Sequence, residues 1–361
     1  MKGLTHPTLG LCGFPEPWTV MYLPHLQGVR SLCAAWVLCG RFLPEENAGI
    51  WRVGQKRLDV AEDIFVVLSG FVAQWHAPHE VREVCSFYVR RLVRLLPAFW
   101  LAMAWSLIFQ LPSLRCIFLL QWSKTEARQC PNGATATVAM LIPCWLIYPW
   151  TSSPLWKVGP RLTLGLAAAF WLLVTFLRGE LDNPITSLAS FGLGVAAARV
   201  AQEVFPDLEV ETEDVGAKSQ SWIWGSVADI LAVLAALMVA FVGDRSGETQ
   251  AFLAMERCMG LLAAMYFLFS SAGKSGHGLV QAVLSHASLA SLGKYTLYVY
   301  LFQEPLFRSI DMLVPLKHSA EGFVFFVLLL WLIAGLYAEN VEPLLLQMVY
   351  MHSPESRDEL S

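Results

Sequence analysis

Charge is what this chain has least of. Asp, Glu, Lys and Arg make up only 15% of its 361 residues, against 56% hydrophobic, and the mean hydropathy is +0.51. Soluble globular domains carry about 25% charged residues, so this composition excludes an ordinary water-soluble fold. A formal net charge of −4 leaves no basic footprint, and no nucleic-acid partner is expected. No interval repeats at a fixed period, which excludes solenoids and propellers. No Cys-x-x-Cys occurs, and Cys33, Cys39, Cys144 and Cys258 fall inside apolar runs, where a thiol behaves as a small hydrophobe. The eight cysteines are therefore not read as a disulfide framework, no metal centre is expected, and the redox compartment stays open. Residues 1–25 hold Pro7, Pro15, Pro17 and Pro24 but no apolar h-region, so no cleavable signal peptide is expected. The ending "SPESRDELS" carries RDEL, but Ser361 follows it, and retrieval signals are read at the very C-terminus.

What the chain has in abundance is long apolar runs. A bilayer core about 30 Å thick needs about 20 mostly apolar residues per helix. Runs of that size lie at 26–43, 60–77, 95–112, 134–152, 159–178, 184–202, 221–243, 250–272, 287–309 and 319–348. They are too long and too uniformly apolar for barrel strands, which alternate over about ten residues. The expected fold is all-α: a polytopic, multi-pass integral membrane protein of about ten transmembrane helices, with membrane lipids as its surroundings. An N-terminal segment at 1–25 precedes one transmembrane domain at 26–348, and a polar tail follows at 349–361. The longest polar connection, Glu203 to Gln220, is acidic and reads as a loop. Counting Lys and Arg in the loops does not decide the orientation. The densest cluster, "YVRRLVRLLP" with Arg90, Arg91 and Arg94, favours the cytosol for the loop before the third span, and with it for both termini.

An ionisable residue inside a span is a functional hypothesis by default. Arg30 lies about a turn inside the first span. It is placed either to hold an anion or carboxylate, or to snorkel to the interface. Asp63, just inside the second span after Asp59 and Glu62, could pair with Arg30; the same carboxylates also suit a helix start. Ser69-Gly70 in mid-span reads as a small pair for helix packing rather than as a nucleophile, since no base is identifiable beside it. Arg91 and Arg94, spaced i, i+3, share a helical face suited to bidentate phosphate binding, or to a positive stop at the membrane edge.

In order along the chain, "LQGVRSLCAAWVLCGRF", "EDIFVVLSGFV", "FYVRRLVRLLPAFW", "FLLQW", "NGATATVAMLIPCWLIYP", "NPITSLASFGLGVAAARV" and "SLGKYTLYVYLFQEPL" resemble the motifs of the acyltransferase-3 membrane proteins. That family includes bacterial O-acetylases of lipopolysaccharide and other cell-surface glycans. The resemblance implies a transferase that takes an acyl group, acetyl foremost, from acyl-CoA and passes it to a hydroxyl of a glycan, lipid or small acceptor. Acyl-CoA is then a co-substrate, and no cofactor is bound permanently. It also implies that Arg30 and Asp63 are site residues and that Arg91 and Arg94 help hold acyl-CoA.

Three positions depart from the family pattern. Arg41 occupies the place of the histidine that serves there as acid/base group, Leu141 that of a glutamate, and Gln303 that of a second histidine. Arginine, with a pKa above about 12, cannot act as a base near neutral pH. Arg41 is then an electrostatic anchor, and the base is relocated to His25, His76 or Asp63; His79 follows the same span. Two other readings stand beside the enzyme: a degenerate member that binds CoA or lipid without transfer, and a secondary transporter. The transporter asks for matching broken helices in two halves, and only the fourth span, with Pro143 and Pro149, looks interrupted.

Overall fold

Apolar runs with no water to bond their peptide groups must satisfy them internally, which favours helices. Helix and turn are all that the computed structural model contains among its described residues: 23–43, 58–76, 84–120, 130–133, 135–178, 184–204, 215–242, 250–272, 278–313 and 319–351. The N-terminal segment to residue 22, His79, Gln121 and Trp122, the stretch 205–214 of the acidic loop, and the tail from 352 lie outside the described residues.

The elements, in order, are α1 (Pro24–Phe42), α2 (Leu58–Trp75), α3 (Val84–Ser106), the short α4 (Leu114–Ile117), α5 (Thr135–Lys157), α6 (Pro160–Arg178), α7 (Pro184–Val204), α8 (Val215–Val242) and α9 (Gln250–Ala272). The short α10 (Leu279–Leu284) and α11 (Ala287–Gly293) follow, then α12 (Thr296–Leu313), α13 (Ala320–Leu336), one π turn (Tyr337–Val341) and α14 (Glu342–Met351). Proline opens α1, α6 and α7, where its missing N–H costs nothing and its fixed φ suits the first turn. Ser319 caps α13 by accepting from the Gly322 N–H at 3.3 Å.

Each expected span coincides with a helix, with four differences. The third run, 95–112, belongs to a helix that starts at Val84 and ends at Ser106. Hydropathy undervalued its arginine-bearing first turns, so Arg91 and Arg94 lie inside the helix rather than before it. The ninth run is broken at Lys294 and Tyr295 into α11 and α12, and the tenth passes through the π turn. The fourth is not interrupted: α5 is continuous through Pro143, Pro149 and Pro154. Nearby side chains bond its carbonyls, with Ser152 Oγ donating to Pro149 O at 2.8 Å and Tyr88 OH to Leu146 O at 2.7 Å.

Three stretches are long and apolar enough to span a bilayer by themselves: Pro184–Glu203, Trp222–Ala240 and Ala320–Met348. Their surroundings differ sharply. The first is 78% buried, the second only 11%. α7 is thus a central post, while α8 presents an apolar outer face. One core cluster joins α1, α3, α12 and α13; a second joins α2, α6, α7 and α9. α2 and α7 cross at Gly70 and Gly194, which bears out the small-residue reading of the Ser69-Gly70 pair.

The cysteines do hold one bond that the sequence reading did not foresee. Cys116 and Cys130 are joined as a disulfide across the segment between α3 and α5. A separation of 14 residues in a connecting segment carries no recognisable spacing signature. Cys33, Cys39, Cys144 and Cys258 are free thiols on helices, as small apolar fillers should be.

Arg199 on α7 is 3% exposed and closes the C-terminal end of α5. It donates to the Leu155 carbonyl, to Val158 O at 2.5 Å and to Thr163 Oγ1 at 3.1 Å. A hydrogen bond to a charged group is worth about 1.5–3 kcal/mol. Arg199→Ala removes all three bonds, although the Leu155 carbonyl keeps the Val158 N–H at 3.1 Å, and is expected to cost about 3 kcal/mol, on the scale of two such bonds. Thermal unfolding in detergent checks this; an unchanged midpoint would dismiss the capping role.

Candidate active site

α1 and α2 are antiparallel neighbours, so the C-terminal end of one meets the N-terminal end of the other. That arrangement brings Arg41, next to last in α1, against Glu62, in the second turn of α2. Arg41 Nη2 lies 2.9 Å from Glu62 Oε1, with the two side chains 21% and 10% exposed. Tyr300 on α12 donates its hydroxyl to the same Oε1 at 3.2 Å and presents its ring 6.0 Å from the Arg41 guanidinium carbon. Thr137 at the start of α5 closes the network, 2.7 Å from the Tyr300 hydroxyl. Since Tyr300 donates to Glu62, the Thr137 hydroxyl donates to Tyr300. Four helices therefore share one part-buried ion pair. Its carboxylate is engaged twice, and its cation, always charged, has no proton to trade.

A cavity of about 30 Å³ opens beside this pair, and its walls include Asp59, Glu62, Asp63, Thr137, Thr186 and Ser187. One water needs about 10–15 Å³ measured this way, so there is room for two waters or one hydroxyl-bearing group. Thr186 is 2% exposed, and its Oγ1 has no hydrogen-bond partner among the described residues. Gly260 on α9 makes way for Asp63: a Cβ there would sit 2.5 Å from Asp63 Oδ2 and 3.1 Å from the Trp171 ring. Trp171 in turn donates to Ser190 Oγ at 3.1 Å, fixing the indole beside the carboxylate.

The other arginines gather at the opposite end of the α1–α2 pair. Arg30 donates to Gln27 Oε1 at 3.1 Å. The Arg91 guanidinium lies over Phe87 at 4.5 Å and Trp145 at 5.2 Å. Trp145 donates to Ser69 Oγ at 3.2 Å, so Ser69 serves this platform. Arg94 Nε is 2.6 Å from Glu342 Oε1. His76, one residue past α2, feels the charge of Arg30, Arg91 and Arg94 together. Arg30 and Arg41 stand eleven residues apart on one helix, roughly 16 Å of rise. Asp63 belongs to the Arg41 end. The sequence reading had offered Asp63 to Arg30; Arg41 instead takes the adjacent carboxylate.

The model of the acyltransferase domain family matches residues 24–338. The chain belongs to the acyltransferase 3 family. Its members are polytopic membrane proteins, and this chain is a multi-pass integral membrane protein. Membership implies a membrane acyltransferase, with an acyl donor and an acceptor. Among curated proteins and among solved structures, nothing matches the chain.

Against the acyltransferase 3 pattern, the three departures have distinct surroundings. Arg41 is the cation of the four-helix network. Leu141 packs in an apolar cluster with Val66, Phe87, Cys144, Tyr148 and Phe191. Gln303 is 1% exposed, and neither its amide oxygen nor its nitrogen has a partner among the described residues. The candidate bases also separate. His25, 1% exposed in the first turn of α1, and His76 sit at the Arg30 end, whereas Asp63 faces the cavity. Glu62, Tyr300, Thr137 and Thr186 were not singled out from sequence. Only the Glu62-Asp63 doublet carried a local signal, two acids at the mouth of an apolar run.

Proposed function

We propose that this acyltransferase 3 protein moves an acyl group, acetyl foremost, from acyl-CoA to a hydroxyl of a glycan, lipid or small acceptor. The observation that carries the reading is the small cavity next to the Arg41–Glu62 pair, where Asp63, Thr137 and Thr186 meet; Arg41 itself stands where the family keeps its base. The acceptor hydroxyl enters that cavity among Asp63, Thr137 and Thr186. Asp63 takes its proton as the oxygen attacks the thioester carbonyl. The tetrahedral oxyanion collapses, the C–S bond breaks, and CoA leaves as the thiolate. Glu62, which accepts from Arg41 and Tyr300, is assigned to holding the network together, and the base is assigned to Asp63 on the cavity wall. Arg41 holds Glu62 and lends positive charge near the developing oxyanion. Arg91 and Arg94 grip the phosphates of acyl-CoA at the far end, Arg30 adds positive charge there, and the flexible pantetheine arm spans the interval.

The sidedness that follows is consistent with this division. Ten helices of 17–28 residues read as ten spans of one transmembrane domain over 26–348, with both termini on one side. Disulfides persist in oxidising compartments, so Cys116–Cys130 marks the side away from the cytosol. The Arg91 end then faces the cytosol, where acyl-CoA is made, in agreement with its positive charge.

Purified protein supplied with radiolabelled acetyl-CoA and a panel of hydroxyl acceptors tests the reading. Transfer is expected, and Arg91→Ala is expected to weaken CoA binding about tenfold, the scale of one lost charge-assisted contact. CoA binding without transfer to any acceptor would favour a degenerate member, the reading supported by Arg41, Leu141 and Gln303. A transporter is disfavoured because the one span expected to be broken, α5, is continuous.

A further inference from the structure

The end of α13 contains a device that the reaction above does not explain. The helix widens into one π turn at Tyr337–Val341 and resumes at Glu342. A π turn inserts an extra residue and rotates everything after it, and such turns recur at functional sites. This one is held on two sides. The Tyr337 ring packs against Tyr298 at 4.9 Å and Phe302 at 5.5 Å, and Tyr295 donates its hydroxyl to Glu339. The first residue past it, Glu342, then reaches two partners at once. Its Oε1 is 2.6 Å from Arg94 Nε, and its Oε2 accepts from the Tyr298 hydroxyl at 2.5 Å. The Glu342 side chain is 13% exposed; that of Arg94 is 61% exposed.

We infer that Glu342 is a positioning residue that aims the Arg94 guanidinium at a phosphate group of the acyl donor. The inference rests on the reading that Arg94 engages acyl-CoA. A guanidinium held through Nε keeps its Nη1–Nη2 edge for a second, bidentate partner, the geometry that suits a phosphate. A loose arginine gives up rotamer entropy when it is ordered. Here Glu342 orders it beforehand, Tyr298 orders Glu342, and the π turn sets the register that lets α14 reach across to α3.

The test uses full-length protein in detergent, with acetyl-CoA and dephospho-CoA as probes. Glu342→Ala is expected to raise the KM for acetyl-CoA about tenfold while kcat falls less than twofold. Glu342→Gln, which still offers an acceptor to Arg94, is expected to recover most of that loss. The Arg94→Ala, Glu342→Ala double variant is expected to be no worse than Arg94→Ala alone, because the two act as one unit. Dephospho-CoA, used as a competitive inhibitor, tells which phosphate is held, since the contact is to the 3′-phosphate if Glu342→Ala no longer alters its Ki. Should Glu342→Ala fail to fold, Tyr298→Phe frees one arm of the carboxylate and should raise KM two- to threefold. The proposal is overturned if Arg94→Ala weakens CoA binding but Glu342→Ala and Tyr298→Phe do not, or if Glu342→Ala binds CoA more tightly, which would make the carboxylate a mask. A wild-type protein that binds no CoA, or an Arg94→Ala variant that binds it normally, would remove the underlying reading instead.

Discussion

Asp63→Asn is expected to lower acyl transfer by about 10²–10⁴-fold, the range for losing a general base, while CoA still binds. Three observations converge on this residue. Asp63 lines the cavity that could admit a hydroxyl, and the glycine at position 260 leaves room for its carboxylate there. The neighbouring carboxylate is committed to Arg41 and Tyr300. The histidines weighed as bases, His25 and His76, belong to the opposite end of α1 and α2. Asn preserves the shape of the side chain and most of its hydrogen bonding, so thermal unfolding should move little. Glu62→Gln makes the informative contrast. It takes the bonded counter-charge from a part-buried Arg41 and leaves it only the more distant Glu304; breaking a fully buried pair costs about 3–5 kcal/mol, and this pair should cost less. Glu62→Gln should therefore lose stability first, and Asp63→Asn activity first. Full transfer activity in Asp63→Asn would place the base elsewhere.

Gly70→Ala and Gly194→Ala are each expected to prevent the native packing of α2 on α7. A Cβ at Gly70 would lie 2.0 Å from the Phe191 carbonyl oxygen, and one at Gly194 would lie 2.0 Å from that of Val67. Neither obstacle is a side chain that can turn aside, so the two helices must separate. Overpacking costs about 1–3 kcal/mol where side chains can adjust, and a backbone clash lies at or beyond the top of that range. The effect extends to the site, because α2 carries Glu62 and Asp63 while α7 carries Thr186 and Ser187. Gly192→Ala on the same helix is the control: its Cβ would meet nothing within 4 Å, and replacing a helical glycine by alanine gains about 0.5–1 kcal/mol. Unfolding midpoints and gel-filtration profiles of the three variants decide the matter. If Gly70→Ala unfolds like Gly192→Ala, the helix crossing does not depend on close backbone approach.

Much of this architecture was legible in the chain. Every apolar run became helical, the ninth as two helices, and the ordered motifs pointed to the family that the comparison then established. Two kinds of feature were not legible. Where charge intrudes into a span, hydropathy drew the boundary wrongly: the early turns of α3 carry Arg91, stacked on Phe87 and Trp145, and the exposed Arg94, so the expected span started eleven residues late. And Arg91 and Arg94, one pair by spacing, part company in space, the first over Phe87 and Trp145, the second tied to Glu342.

The sequence by itself determined that the chain is helical, membrane-embedded and an acyltransferase 3 protein, because hydropathy and short motifs are properties of neighbouring residues. Only the tertiary structure decided which charges meet. Arg41 and Glu62 are 21 positions apart, and Arg94 and Glu342 are 248 apart. No local pattern encodes such partners. They follow from which helices pack together and how each is turned about its axis, down to a single π turn. The same holds for Cys116 and Cys130, whose bond no spacing in the sequence announces.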